Sequence, residues 1–363
     1  MNAWIEHWVR PEIRALTAYH VPPSTGFVKL DAMENPYPWP PELATEWLAS
    51  LATVALNRYP DPTAAELIAS LRLVMEVPSD QSIVLGNGSD ELIQMLILLV
   101  GGPGRVVLAL EPTFVMYRMI AQFTGMRFVG VPLRDPDFSL DLAATLEAID
   151  VHQPAVVFLA YPNNPTGNHW SRAEIETILR AAPGLVVLDE AYSPFARDSF
   201  MKDLGSYPNL LVMRTLSKWG LAGLRLGYLC GPNAWLEQLE KLRLPYNINV
   251  LTQASASFAL RHAKVFGAQA RLIRAERDRV GAALGAIDGI SVYPSDANFL
   301  LFRTAPHAAG SVFEALKAAR VLIKNLSPMG GSLTDCLRVT VGTPDENQKF
   351  LTAIQSALAV RSA

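Results

Sequence analysis

Between residues 82 and 230 the chain alternates two textures, and that alternation constrains the fold more than any other feature. Apolar runs of strand length occur at 82–85, 106–110, 128–131, 155–160, 185–188, 210–213 and 226–230. Several are nearly continuous in Val, Leu and Ile, the texture of strands covered on both faces in a mostly parallel sheet. Helical periodicity falls over 64–75, 89–100, 113–124, 139–149 and 171–182. Four of these stretches begin with Ser or Thr, which are expected to cap free helix N–H groups. Right-handed crossovers between such strands build an α/β domain, a sheet flanked by helices.

Beyond about residue 245 the texture changes. A long helix is expected over 254–284, broken near 263–265, then strands at 291–293, 298–302, 321–324 and 337–341, and helices at 311–319 and 345–360. This is α+β patterning. The first 30 residues show no strand partner of their own and are expected to pack on the C-terminal part. The expected division is a large α/β domain over 31–248 and a smaller α+β domain formed by 1–30 and 249–363.

Composition narrows the function classes. The 363 residues are 50% hydrophobic and 18% charged, which excludes a disordered chain. A net charge of −3 argues against a general nucleic-acid binder. Cys230 and Cys336 cannot make a disulfide framework, so a reducing compartment is expected. The six histidines are scattered, without metal-ligand spacing, so no metal is expected. The opening MNAWIEHWVRPEIRAL lacks the apolar core of a signal peptide, and the longest apolar stretch, 92–100, contains Gln94 and is too short to span a membrane. A cytoplasmic protein without a membrane partner is expected.

Four local patterns carry chemistry. Lys218 follows a strand-like run, with Ser217 beside it and Arg225 seven residues on. Enclosure and neighbouring cations lower a lysine pKa and free the amine for imine formation, although a surface Ser-Lys pair is the plainer reading. Asp189 and Glu190 end another apolar run; ligands of open parallel sheets bind beyond such strand ends. A carboxylate there could keep a heterocyclic nitrogen protonated, or, with its neighbour, hold Mg²⁺. The phosphate loop of nucleotide hydrolases, however, is absent. Tyr161-Pro162-Asn163-Asn164-Pro165-Thr166-Gly167 forms a turn in which Asn164 offers an amide donor. Gly86-Asn87-Gly88-Ser89-Asp90-Glu91 opens a helix whose N–H groups attract phosphate, or is an ordinary helix cap. No dinucleotide fingerprint is present.

In this order the four patterns resemble the fold-type I pyridoxal-phosphate (PLP) aminotransferases. Further segments narrow the resemblance to the histidinol-phosphate aminotransferase family. They are Leu30-Asp31-Ala32-Met33-Glu34-Asn35-Pro36-Tyr37, Arg58-Tyr59-Pro60-Asp61-Pro62, Glu111-Pro112-Thr113-Phe114-Val115-Met116-Tyr117, Ser295-Asp296-Ala297-Asn298-Phe299 and Cys336-Leu337-Arg338-Val339-Thr340-Val341-Gly342-Thr343.

The resemblance implies a PLP-dependent transferase fold of type I, in a homodimer with shared active sites. It implies that Lys218 bonds PLP covalently and shuttles a proton, that Asp189 pairs with the ring nitrogen, and that Tyr192 and Asn164 bond the ring's phenolic oxygen. Tyr117 would stack on the ring. Gly88, Ser89, Asp90, Ser217 and Arg225 would hold the phosphate, with Tyr59 reaching the phosphate of the neighbouring subunit. Arg338 would grip the glutamate carboxylate, and Tyr19, Asn35 and Lys324 would contact substrate. Lys324 stands where the family often has Arg, which keeps the charge but loses the bidentate fork.

The reaction implied exchanges an amino group between histidinol phosphate and 2-oxoglutarate, in histidine biosynthesis. Alternatives are an aromatic amino-acid aminotransferase, a PLP-dependent decarboxylase of a phosphorylated amino acid, a PLP-binding regulatory module, and a plain nucleotide-binding protein. No helix-turn-helix pattern accompanies the motifs, which counts against the regulatory module.

Overall fold

The computed structural model describes residues 3–18 and 22–359. A short strand, β1 (Val28–Lys29), precedes the seven strands of the main sheet: β2 (Ser82–Gly86), β3 (Val106–Glu111), β4 (Arg127–Pro132), β5 (Val156–Ala160), β6 (Leu185–Asp189), β7 (Leu210–Thr215) and β8 (Gly227–Gly231). Their order is β2-β8-β7-β6-β5-β3-β4. Neighbours run parallel except at β8, which is antiparallel to both β7 and β2. The seven apolar runs become these seven strands.

Strands β5 and β6 are buried at every position because both sheet faces are covered. Val157, Leu159, Val186 and Leu188 enter one core; Val156, Phe158, Leu185 and Val187 enter the other. This two-sided burial fixes the strand ends, and at those ends Asp189 and, after Thr215, Lys218 emerge on one rim.

The helices lie where expected, but their caps do not. Among the four Ser/Thr starts, only Ser171 caps, in a capping box with Glu174. Asp141, rather than Ser139, caps Leu142–His152, accepting the Ala144 amide. The helix expected from residue 113 begins at Met116 (Met116–Phe123), leaving Phe114 in the loop before it. The long helix is interrupted at His262, between Val250–Arg261 and Ala263–Gly285.

The small domain holds β9 (Ser291–Val292), β10 (Phe299–Arg303), β11 (Val321–Leu322), β12 (Lys324–Asn325) and β13 (Cys336–Thr340). Four of these form an antiparallel sheet, β12-β13-β10-β9. One expectation is corrected: the N-terminal segment does have a strand partner, since β1 pairs parallel with β11. Ala256, Ala259, Leu260 and Phe266 share a core with main-sheet residues such as Leu188 and Val212, which Leu301 and Cys336 of the small sheet also enter, whereas Val280 and Leu284 join a second core with Leu300 and Val339. Helix Ala263–Gly285 therefore spans both. The segment before β1 is divided as well, because Arg10 bonds the Phe123 carbonyl on the large domain.

Candidate active site

A cavity of about 110 Å³ opens at the carboxyl ends of β5, β6 and β7, lined among others by Met33, Phe114, Asn164, Asp189, Tyr192 and Lys218. Its floor is Asp189, the last residue of β6 and only 4% exposed. The main chain there is held from both sides, its carbonyl accepting the Tyr161 amide and Glu190 donating to the Met213 carbonyl, each at 2.8 Å. The carboxylate accepts the Tyr117 hydroxyl at 2.6 Å and the Ala191 amide at 3.1 Å. Neither donor carries a charge. Burial therefore wins over these hydrogen bonds and pushes the carboxyl up to about 6.

Lys218 follows β7 in a tight helical turn, Ser217–Leu221, whose Gly220 has φ +126°. A side chain at Gly220 would be strained there, and its Cβ would stand 3.0 Å from Asn35 Nδ2. The Lys218 amine donates to the Ala32 carbonyl at 3.1 Å and lies 5.9 Å from the centre of the Tyr192 ring. Enclosure, then the Arg338 and Arg225 cations, lower this amine to about 8, against the opposing pull of Glu34 and Asp90.

At the opposite end, Gly88 (φ +78°) precedes helix Ser89–Val100. A Cβ on Gly88 would stand 2.7 Å from Arg225 Nη2, so the glycine lets the guanidinium approach the helix start. Arg225 faces Asp90 at 3.4 Å. Ser217 Oγ lies 2.9 Å from Thr215 Oγ1. Backbone N–H groups, a hydroxyl and a guanidinium thus converge where an anion would be neutralised.

Above the floor, Asn164 Oδ1 accepts from Arg338 Nη1 at 2.5 Å, so its amide nitrogen is the donor left for a ligand. Arg338, buried on β13, also donates to the Asp31 carbonyl at 3.1 Å. Lys324 is its register partner on β12, on the same sheet face. Met33 adopts φ +52°, clamped by Thr340 Oγ1 on its amide and Asn298 Nδ2 on its carbonyl.

Two expected roles, those of Tyr117 and Asn35, are revised. Tyr117 cannot stack on a ligand in the cavity. It is fully buried, stacks on Phe158 at 4.8 Å and spends its hydroxyl on Asp189; Phe114, in the preceding loop, is the aromatic on the cavity wall. Asn35 serves the scaffold rather than a substrate, its amide donating to Trp219 O and Gln269 Oε1. Tyr59 stands 80% exposed, stacked on Tyr246, and is outside the cavity of its own chain. Tyr19 lies outside the described residues. Phe114 and Met33, both missed as cavity residues, sit inside motifs quoted above; a motif marks a segment without saying which side chain faces inward.

The chain matches the family model of class I and II aminotransferases over residues 25–354. It is 59% identical over 352 residues to histidinol-phosphate aminotransferase 2 of Nitrosococcus oceani, which covers 97% of this chain and 98% of the relative. This chain belongs to the histidinol-phosphate aminotransferase family. The family member of Chromobacterium violaceum is 56% identical over 355 residues, 98% of this chain and 99% of that one. In fold, the chain is similar to the Sinorhizobium meliloti histidinol-phosphate aminotransferase solved in complex with pyridoxal-5′-phosphate. The TM-score is 0.87 at 24% identity, with 98% of both chains covered.

Proposed function

We propose that this protein is a PLP-dependent aminotransferase that interconverts L-histidinol phosphate and 2-oxoglutarate with imidazole acetol phosphate and L-glutamate. One observation carries the reading: a single cavity joins a buried carboxylate lacking a charged donor to an amine held at about 8. The residues fit PLP. A protonated ring nitrogen would supply the positive charge that Asp189 lacks, and the glycine at 88 lets the Arg225 guanidinium sit beside the N–H groups of a helix start, where a phosphate would be held.

Bound PLP supplies an aldehyde for the amine and an electron-withdrawing ring for the substrate's α-carbon. The remaining work falls to side chains. With its pKa near 8, roughly a tenth of Lys218 is neutral at pH 7, against well below 0.1% for an ordinary lysine. A neutral amine is what condensation with the PLP aldehyde, with loss of water, would require, and the same Nζ would hold and move a proton beside the substrate carbon. Asp189 would keep the ring nitrogen protonated. Tyr192 and the Asn164 amide would hold the phenolic oxygen, with Phe114 against the ring. Ser89, Asp90, Ser217 and Arg225 would bind the phosphate. Arg338 presents its planar fork to the glutamate carboxylate, and Lys324 adds charge beside it for the second substrate.

The active unit in this reading is a homodimer in which Tyr59 completes the phosphate site of the partner. Supporting this, Leu56, Tyr59, Leu244 and Tyr246 are all exposed. Two free, buried cysteines suit the cytoplasm, and no helix of the described residues is long and apolar enough to cross a membrane.

Adding L-histidinol phosphate to the PLP-loaded protein tests the substrate assignment. The visible band of the bound cofactor is expected to bleach, and 2-oxoglutarate to restore it. Faster bleaching with phenylalanine would assign the aromatic amino-acid reaction instead.

A further inference from the structure

Asp189 receives its strongest contact from a residue that the cavity does not expose. Tyr117, in the first turn of helix Met116–Phe123, is locked by its ring: it lies nearly parallel to Phe158 (9°) at 4.8 Å and meets Phe114 edge-on at 5.7 Å. This packing delivers the hydroxyl to Asp189 Oδ2 at 2.6 Å, while Oδ1 takes the Ala191 amide at 3.1 Å. One donor on each oxygen fixes the plane of the carboxylate. Both donors also favour its ionised form, since each oxygen of a carboxylate accepts a stronger bond than those of the neutral acid.

We propose that Tyr117 is a positioning residue whose hydroxyl keeps Asp189 ionised and aimed for the ring nitrogen of PLP. This rests on the cofactor reading above. Apart from the Ala191 amide, the groups around the carboxylate work the other way or are spent elsewhere. Burial and the acidic neighbours Asp90 and Glu190 favour the protonated form. Glu190 itself is taken up by Arg214 at 2.7 Å, and Asp90 by Arg225. Across the cavity, the Lys218 amine is held by Ala32 O, and Tyr192 packs edge-on against Phe299. Among these groups Tyr117 is the side-chain donor to Asp189, so its bond, with that of the Ala191 amide, opposes burial and lowers the pH at which the carboxylate takes up a proton.

The test is the affinity of the apo-protein for PLP from pH 5 to 8.5, measured on wild type, Tyr117→Phe, Asp189→Asn and the double variant. Tyr117→Phe keeps the stacked ring and removes one oxygen. It is expected to weaken PLP about tenfold at pH 7 and to move the acid limb of binding up by about one pH unit. In the Asp189→Asn background the same change should add nothing. A limb that stays in place, even with a uniform loss of affinity, would overturn the proposal, as would an equal loss in both backgrounds. Unchanged affinity in Asp189→Asn alone would instead overturn the cofactor reading, and this inference with it. Incorporating 3-fluorotyrosine at position 117 preserves shape while strengthening the donor. The limb should then move down, and an unmoved limb would again contradict the proposal.

Discussion

The floor and the upper wall of the cavity are built on different principles. On the floor, Asp189 and Lys218 stand at the ends of parallel strands buried on both faces, and neighbouring strands fix their main chain. On the wall, Arg338 is held by bonds that cross between segments: Asn164 from the large domain and the Asp31 carbonyl from the N-terminal strap. That strap also takes the Lys218 amine at Ala32 and is tied to the small domain through Asn298. In the proposed reading, the contrast teaches that the cofactor chemistry would be set by the sheet, while substrate choice would depend on a few links between separate pieces of chain.

If that division holds, substitutions should sort by side. Lys218→Ala, at the floor, should cut turnover by at least about 10⁴-fold in steady-state assays while PLP still binds noncovalently. Asp189→Asn should lower kcat by about 10²- to 10³-fold. Its effect on stability should be opposite in direction. A carboxyl raised to about 6 in the fold is penalised when ionised, so the folded apo-protein gains stability as pH falls through that value. Removing the charge should therefore leave the melting temperature at pH 7.5 no lower than wild type.

On the wall, Arg338→Ala should cost about 10²-fold in kcat/KM for the glutamate half-reaction and at most about tenfold with histidinol phosphate. Equal losses in stopped-flow half-reactions would break the assignment of Arg338 to the carboxylate. Lys324→Ala should cost only about two- to fivefold, and only with the phosphorylated substrate, because its charge is partly solvated. Sharpest on pH is the loading step: capture of PLP by the apo-protein should accelerate as pH rises through about 8, where the amine loses its proton.

The same two regions differ in how much the sequence discloses. Strand runs such as 155–160 and 185–188 are legible because two-sided burial demands unbroken apolar residues, and Asp189 is conspicuous as the carboxylate ending one of them. Lys218 and the Gly88 loop are legible from local chemistry. Tyr117 and Phe114 are not told apart by sequence. Which of two aromatics three residues apart faces the cavity depends on where the helix starts, and that start lies at Met116 rather than Thr113. The strap is equally opaque: Ala32 and Asp31 act through main-chain carbonyls, which carry no side-chain signature. The left-handed backbone of Met33 is imposed by Thr340 and Asn298, far along the chain. Asn35 reads as a substrate contact only until Gln269 and Trp219 are seen to occupy it.

Borohydride reduction of the PLP-loaded protein, followed by peptide mapping, tests the central claim most directly. The label should be found on Lys218 at one equivalent per chain. A label on any other lysine, or a protein that stays colourless when PLP is supplied, would contradict the account.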